Sequence, residues 1–110
     1  MIPLKEKQKI LNDPLFRAGE CCLDGIPGLC KGRIEWHHAM MDGRKRIQEA
    51  WAVVPLCQYH HTQANRPDIK NRIDWIVINR VTDEIAARFP RIDWVQKWGY
   101  LSQKFASEQI

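Results

Sequence analysis

The stretch PLCQYHH, residues 55–61, places a cysteine three residues before the first of two adjacent histidines. On a helix, residues three apart share a face, whereas adjacent residues point about 100° apart. Cys57 and His60 can therefore bind one metal ion together. His61 points away from both and shares a face with Asn65, four residues further on. The stretch thus predicts two sites, one with Cys57 and His60 and a second with His61.

The composition indicates a small protein that would be stabilised by a bound metal. A chain of 110 residues supports one modest domain. Its 17 Lys and Arg against 13 Asp and Glu give a net charge of +4, a mild surplus that permits a nucleic-acid partner without demanding one. The N-terminal residues lack the apolar segment of a signal peptide, and no run reaches the roughly 18 apolar residues of a membrane span. We therefore expect a cytoplasmic protein without membrane contact.

The cysteines provide candidates for the remaining metal ligands. Because thiols stay reduced in the cytoplasm, four cysteines there are expected to be metal ligands or buried thiols more often than disulfides. A closed structural zinc site is tetrahedral and uses Cys and His ligands. The loop CCLDGIPGLC offers Cys30 at one end and either Cys21 or Cys22 at the other. The Cys22–Cys30 spacing exceeds the usual two to four intervening residues, so four unconnected buried thiols remain the alternative.

Apolar periodicity and turn signals predict an α+β protein in which two strands and a short helix are flanked by further helices. The predicted strands span residues 33–40 and 51–56, and the predicted helices span 3–11, 57–65, 68–80, 82–89 and 91–105. A turn is expected at Asp42-Gly43. Pro67 should end the short helix near Asn65, because proline disfavours helical geometry at the residue before it. Core packing is the expected role of Trp94, Val95, Trp98 and Leu101, at roughly helical spacing.

A second histidine doublet precedes this stretch, in EWHH, where it consists of His37 and His38. The order of EWHH, a loop, a short apolar strand and PLCQYHH resembles the HNH endonuclease family, and in particular the zinc-containing members carried by phages. The similar core spans about residues 22–65. The resemblance implies a small ββα-metal core with a structural zinc site, flanked by N- and C-terminal helices. Residues 1–110 would form a single domain with a helical extension over about 68–110, in the cytoplasm of a phage host.

The resemblance also implies which residues bind each metal ion. The structural zinc would be held by Cys22, Cys30, Cys57 and His60, with Cys22 preferred to Cys21 because CLDGIPGLC is similar to the first zinc-binding loop of phage HNH-like proteins. The histidine after the last zinc ligand, His61, would join His37 in binding a catalytic divalent ion: Mg²⁺, Mn²⁺, Ni²⁺ or Zn²⁺.

His38 would then be the general base in the hydrolysis of DNA phosphodiester bonds, which in this family leaves 5′-phosphate and 3′-hydroxyl ends. The residue types suit that chemistry. A neutral histidine can accept a proton near pH 7, and a divalent ion can neutralise charge on the phosphate and the leaving oxygen.

Two positions depart from the family pattern. Ala52 stands where the family usually has the middle asparagine, so Asn65 is our candidate for the third ligand of the catalytic ion, by inference and not by motif. Strict strand alternation sends His37 and His38 to opposite faces. A bulge or twist near the end of the strand is therefore expected if both are to reach one phosphate.

Charged residues near the doublets have two possible roles each. Arg44, Lys45 and Arg46 either contact DNA phosphates or form a solvated hairpin tip. Glu35 either orients a histidine or is a surface carboxylate, and the sequence favours the surface. The alternative functions are a zinc-stabilised DNA-binding module without catalysis and a zinc-containing protein-interaction domain. The sequence leaves the DNA substrate and the oligomeric state open.

Overall fold

The fold, seen in a computed structural model that describes residues 2–17, 19–23 and 30–105, combines helices with two small antiparallel strand pairs. The elements in chain order are α1 (Leu4–Asn12), α2 (Pro14–Arg17), β1 (Ile34–His38), β2 (Met41–Asp42), β3 (Lys45–Arg46), a 3-10 turn (Ala50–Ala52), β4 (Val53–Cys57), α3 (Gln58–Thr62), α4 (Pro67–Ile78), α5 (Asp83–Arg88) and α6 (Trp94–Phe105). A mixture of helices and small antiparallel sheets is therefore confirmed.

The central feature is the antiparallel pair β1 and β4, followed directly by α3. The register runs without interruption from Ile34 opposite Cys57 to His38 opposite Val53. The second predicted strand, residues 51–56, starts too early. Residues 50–52 form a 3-10 turn in which the N–H of Ala52 donates to the carbonyl of Glu49, and β4 begins after it. The helix predicted over residues 57–65 is too long. The observed helix α3 ends at Thr62, and the chain that follows it forms tight turns.

Burial of β4 on both faces fixes this strand pair in the molecule. Val54 and Leu56, both fully buried, belong to the main apolar cluster together with Ile69 and Ile73 of α4. Alternate residues point to opposite faces of a strand, and Val53 accordingly packs in a second cluster with residues from the N-terminus and α1. The strand pair therefore lies between α1 and α4, and this packing fixes the place of β1 in the molecule.

The C-terminal helix α6 packs one side against α4. Leu101 and Phe105 contact the cluster formed by Trp75 and Ile78 of α4. The prediction that Val95 and Trp98 pack in the core is wrong. Val95 is 86% exposed on the outer side of α6, and Trp98 is 49% exposed. None of the helices in the described part of the chain is long and apolar enough to span a membrane.

The predicted turn at Asp42-Gly43 is confirmed as the tip of the β2–β3 hairpin. Gly43 has φ of 65°, a left-handed conformation that glycine adopts without strain. A Cβ there would also lie 3.2 Å from the guanidinium of Arg91. Arg44 and Lys45 are exposed at this tip. After the tip the chain runs back, so that Arg46 and Gln48 lie near the end of β1.

Candidate metal centre and adjoining histidine cavity

One cluster of four side chains has the composition and geometry of a metal site. Cys21, Cys30, Cys57 and His60 place their ligand atoms within 4.8 Å of one another, and we call this set the zinc cluster. The three Sγ atoms lie 3.7, 3.6 and 3.1 Å from Nδ1 of His60, in the order of their residue numbers. A tetrahedral zinc with bonds of about 2.3 Å to sulfur and 2.0–2.1 Å to nitrogen separates its S and N ligands by about 3.6 Å. The four donors therefore fit a metal ion such as zinc.

The junction between β4 and α3 builds half of the zinc cluster. Cys57 is the N-cap of α3, and its Sγ accepts a hydrogen bond from the N–H of His60 at 3.4 Å. Burial raises the pKa of the Cys57 thiol, but hydrogen bonds from the backbone N–H groups of His60 and Lys31, among others, lower it to about 7 overall. A substantial thiolate fraction at neutral pH suits a metal ligand. The three-residue spacing of the sequence therefore brings the two side chains together as expected.

The prediction of Cys22 as the first cysteine ligand is wrong. Cys21 and not Cys22 lies within ligand distance of the other three residues. The N–H of Cys22 donates to the carbonyl of Pro55 at 2.8 Å, which fixes the chain beside β4 with Cys21 turned toward His60. Burial and the neighbouring Cys21 raise the pKa of the Cys22 thiol to about 12, so this thiol stays protonated. None of the four cysteines, all of which lie in the described ranges, forms a disulfide.

The two adjacent cysteines are expected to respond differently to substitution. Cys21→Ser should lose stoichiometric zinc and melt at a lower temperature, because it removes one of four ligands of a site whose metal supports the fold. Cys22→Ser should retain about one zinc per chain, since it leaves the ligand set intact. Elemental analysis of both purified variants, with thermal melts alongside, checks the assignment. Loss of zinc from Cys22→Ser together with retention in Cys21→Ser would restore Cys22 as the ligand.

A second group of histidines lies beside the zinc cluster, around a cavity of about 400 Å³. We call it the histidine cavity, and its lining residues are Trp36, His37, His38, Arg46, His61, Ala64 and Asn65. The rings of His37 and His61 meet edge to face with centres 5.2 Å apart. Two imidazoles bound to one tetrahedral ion at about 2.0–2.1 Å have ring centres roughly 5 Å apart. The spacing of the two ring centres is therefore compatible with a shared ion.

Glu35 holds His61 in an orientation suited to metal binding. Nδ1 of His61 lies 2.8 Å from Oε1 of Glu35 and donates to it, which leaves the lone pair of Nε2 available. Histidine ligands commonly donate their second ring N–H to a carboxylate in this way. Hydrogen bonds from His61 and Arg33 lower the pKa of Glu35, so the carboxylate remains ionised. The sequence favoured a surface role for Glu35, and the contact with His61 corrects that interpretation.

His37 is held in the neutral form that binds metals. Burial lowers the pKa of His37 to about 4, and the imidazoles of His61 and His38 add to this effect because they would repel a proton on His37 whenever they are themselves protonated. Glu35 and His37 stand two residues apart on β1 and both contact His61, as the predicted alternation of the strand requires.

His38, the last residue of β1, lines the same cavity as His37 although the two are adjacent on a strand. The expected bulge is not found, since the register of β1 against β4 is unbroken. Nε2 of His38 donates to Oε1 of Gln48 at 3.0 Å, which leaves Nδ1 as a proton acceptor. Burial lowers the pKa of His38, so its ring is also neutral near pH 7. The sequence does not predict this role for Gln48, because the contact with His38 forms only when the β2–β3 hairpin folds the chain back toward β1.

The remaining predicted residues divide between the cavity and other regions. Asn65 and Arg46 line the histidine cavity. Arg44 and Lys45 are exposed at the hairpin tip and are not among the lining residues. Ala52, the residue that departs from the HNH pattern, is fully buried in the main apolar cluster and does not line the cavity.

The two sites suit different tasks. The zinc cluster is largely buried and closed by four donors, as in sites where metal stabilises the fold. The histidine cavity combines the neutral imidazoles of His37 and His38 with the cationic side chain of Arg46, which suits a divalent ion and an anionic ligand. No protein-family model matches the sequence, and no curated protein or solved structure is significantly similar to it.

Proposed function

We propose that the protein is a metal-dependent endonuclease of the HNH type that hydrolyses DNA phosphodiester bonds. One observation carries this proposal: His60 completes the zinc cluster, while the next residue, His61, faces His37 across the histidine cavity. The order of β1, β4 and α3 supports a ββα-metal core, because this family binds its catalytic ion between a strand pair and the following helix. The zinc cluster would fix the start of α3 and thereby the position of His61.

His37 and Nε2 of His61 would bind the catalytic ion, with the amide oxygen of Asn65 as a third ligand from the same cavity. A divalent ion held there would neutralise negative charge on the phosphate and on the leaving 3′ oxygen. Imidazole ligands suit Zn²⁺ and Ni²⁺, whereas Mg²⁺ or Mn²⁺ would need water and phosphate oxygens to complete the coordination.

His38 would act as the general base. Its Nδ1 accepts a proton from the attacking water, because the hydrogen bond from Nε2 to Gln48 fixes the other ring nitrogen as a donor. The water oxygen then forms a bond to phosphorus as the bond from phosphorus to the 3′ oxygen breaks, and the 3′ oxygen leaves with its electron pair and takes a proton from solvent. The products are a 5′-phosphate and a 3′-hydroxyl.

Cationic side chains next to the cavity support an anionic polymer as the substrate. Arg46 lines the cavity itself, and Arg44 and Lys45 follow Gly43 at the exposed hairpin tip. Such contacts to the phosphate backbone position DNA and strengthen binding by releasing counterions. The formal net charge of +4 agrees with a polyanionic partner.

A plasmid-nicking assay tests the proposed function. We expect the zinc-loaded protein to convert supercoiled DNA to the open-circular form only when Mg²⁺, Mn²⁺, Ni²⁺ or Zn²⁺ is added, and we expect the nicks to be sealed by DNA ligase, which requires 5′-phosphate and 3′-hydroxyl ends. Salt-dependent DNA binding without nicking under any of these ions would favour a zinc-stabilised DNA-binding module. Neither nicking nor binding would favour a protein-interaction domain.

A further inference from the structure

Two lysines from different helices converge on one buried carboxylate outside the histidine cavity. Nζ of Lys70 in α4 lies 2.6 Å from Oδ2 of Asp74, and Nζ of Lys97 in α6 lies 3.9 Å from the same oxygen. The side chain of Asp74 is 6% exposed, whereas those of Lys70 and Lys97 are 53% and 32% exposed. We call Lys70 and Lys97 the lysine pair.

The local charge of this group favours an anion. One carboxylate neutralises only one of the two ammonium groups, so the group carries a net charge of +1. Each ammonium has three N–H donors, and one buried carboxylate cannot accept from all of them, so both partly exposed lysines retain donors for an anion. Because Asp74 restrains both side chains, an arriving anion would have to immobilise less lysine rotamer freedom than at an unrestrained surface.

The lysine pair lies along a path that starts at the histidines. A cavity of about 310 Å³ adjoins the histidine cavity, with which it shares four lining residues, His37, His38, Ala64 and Asn65. Lys70, Asp74 and Lys97 also line this second cavity. An anion bound by the lysines would therefore lie beside the proposed catalytic residues but outside the position of the catalytic ion.

The path continues past the lysine pair into a third cavity of about 440 Å³, which shares Lys70, Asp74 and Lys97 with the second. Polar groups that include Asn71, Gln96 and Tyr100 line it, and the amide of Asn71 donates to the hydroxyl of Tyr100 at 3.4 Å. The carboxylate of Asp93 also lines this outer cavity, so positive charge is concentrated at the inner end, next to the histidines.

We propose that Lys70 and Lys97, restrained by Asp74, bind a backbone phosphate of a nucleic acid that neighbours the phosphate held at the histidine cavity. The proposal rests on the proposed function, since it takes the histidine cavity as the cleavage position. A nucleic acid fits the observations because its strand carries successive phosphates, so that one phosphate can lie at the histidine cavity while a neighbouring one reaches Lys70 and Lys97 in the adjoining cavity. The lysines would thereby fix which phosphodiester bond faces His38.

The test compares variants of Lys97, which contacts Asp74 less closely than Lys70 and is therefore less important for the fold. A fluorescent DNA duplex is titrated with zinc-loaded protein at several salt concentrations, without added divalent ion. For Lys97→Gln we expect weaker binding, and a slope of log affinity against log salt that is shallower by about 0.9, the value for one phosphate contact. Lys97→Arg should keep the wild-type slope.

The matched control is Lys5→Gln on α1, which removes the same charge from an exposed residue that lines none of the three cavities. It should leave the slope unchanged. Equal slopes and affinities for Lys97→Gln and Lys5→Gln would overturn the lysine site, whether or not the protein cleaves DNA. A normal Lys97 effect in a protein that never nicks plasmid would support the lysine site and overturn only the nuclease proposal. A wild-type protein without any DNA binding would overturn both.

Discussion

Cys57→Ala is expected to unfold the protein under conditions in which the wild type is folded. The substitution removes a zinc ligand, and also the sulfur that caps α3 by accepting from the N–H of His60. Binding of structural zinc contributes on the order of 10 kcal/mol to folding. The free energy of unfolding of a whole domain is about 5–15 kcal/mol, so loss of the ion is comparable to the entire stability. His60→Ala should act similarly, because this fully buried residue supplies the imidazole ligand.

Circular dichroism melts of wild type, Cys57→Ala and Cys22→Ser, with zinc content determined for each, measure this effect. Cys22→Ser is the matched control, since it also removes a cysteine beside β4 but leaves the four ligands in place. Treatment of the wild type with a chelator should reproduce the loss seen in Cys57→Ala. A chelated, zinc-free protein with an unchanged melting temperature would show that the zinc cluster is not what stabilises the fold.

His38→Ala is expected to lower the rate of DNA cleavage by about 10²–10⁴-fold, the usual contribution of a positioned general base. Zinc content, melting temperature and DNA affinity should stay near the wild-type values, because His38 lies outside the zinc cluster and its side chain is hydrogen-bonded to the partly buried Gln48. Single-turnover cleavage at saturating protein isolates the chemical step. Cleavage by His38→Ala at the wild-type rate would exclude His38 as the base.

Gln48→Leu offers a conservative companion to this variant. It keeps the imidazole of His38 but removes the oxygen that accepts from Nε2, so the ring is no longer held in the tautomer that exposes the lone pair of Nδ1. We expect a smaller loss of rate than in His38→Ala. A loss in Gln48→Leu larger than that in His38→Ala would mean that Gln48 acts in some other way.

The features that the sequence predicts depend on local spacing. Cys57 and His60 meet because they lie three residues apart across the first turn of a helix, and His61 turns toward His37 for the same geometric reason. The turn at Gly43 and the start of α5, where the hydroxyl of Thr82 accepts from the N–H of Ile85, likewise follow from short patterns.

The features that the sequence does not predict depend on contacts between distant segments. Cys21 and not Cys22 joins the zinc cluster in a segment whose backbone is hydrogen-bonded to Pro55, more than thirty residues away along the chain. Strand alternation puts Glu35 and His37 on one face, but only the docking of α3 brings Glu35 to His61. Lys97 meets Asp74 through the packing of α6 on α4, which no local pattern specifies.

The proposed cleavage depends on one ion bound between His37 and His61, with the adjacent His38 as the base. The cleavage rate as a function of divalent-ion concentration, for wild type, His37→Ala and His38→Ala, tests it most directly. We expect His37→Ala to require a higher ion concentration for half-maximal rate, since it loses a ligand, and His38→Ala to show a low maximal rate at an unchanged half-maximal concentration. A shifted ion requirement in His38→Ala with none in His37→Ala would contradict the assignment.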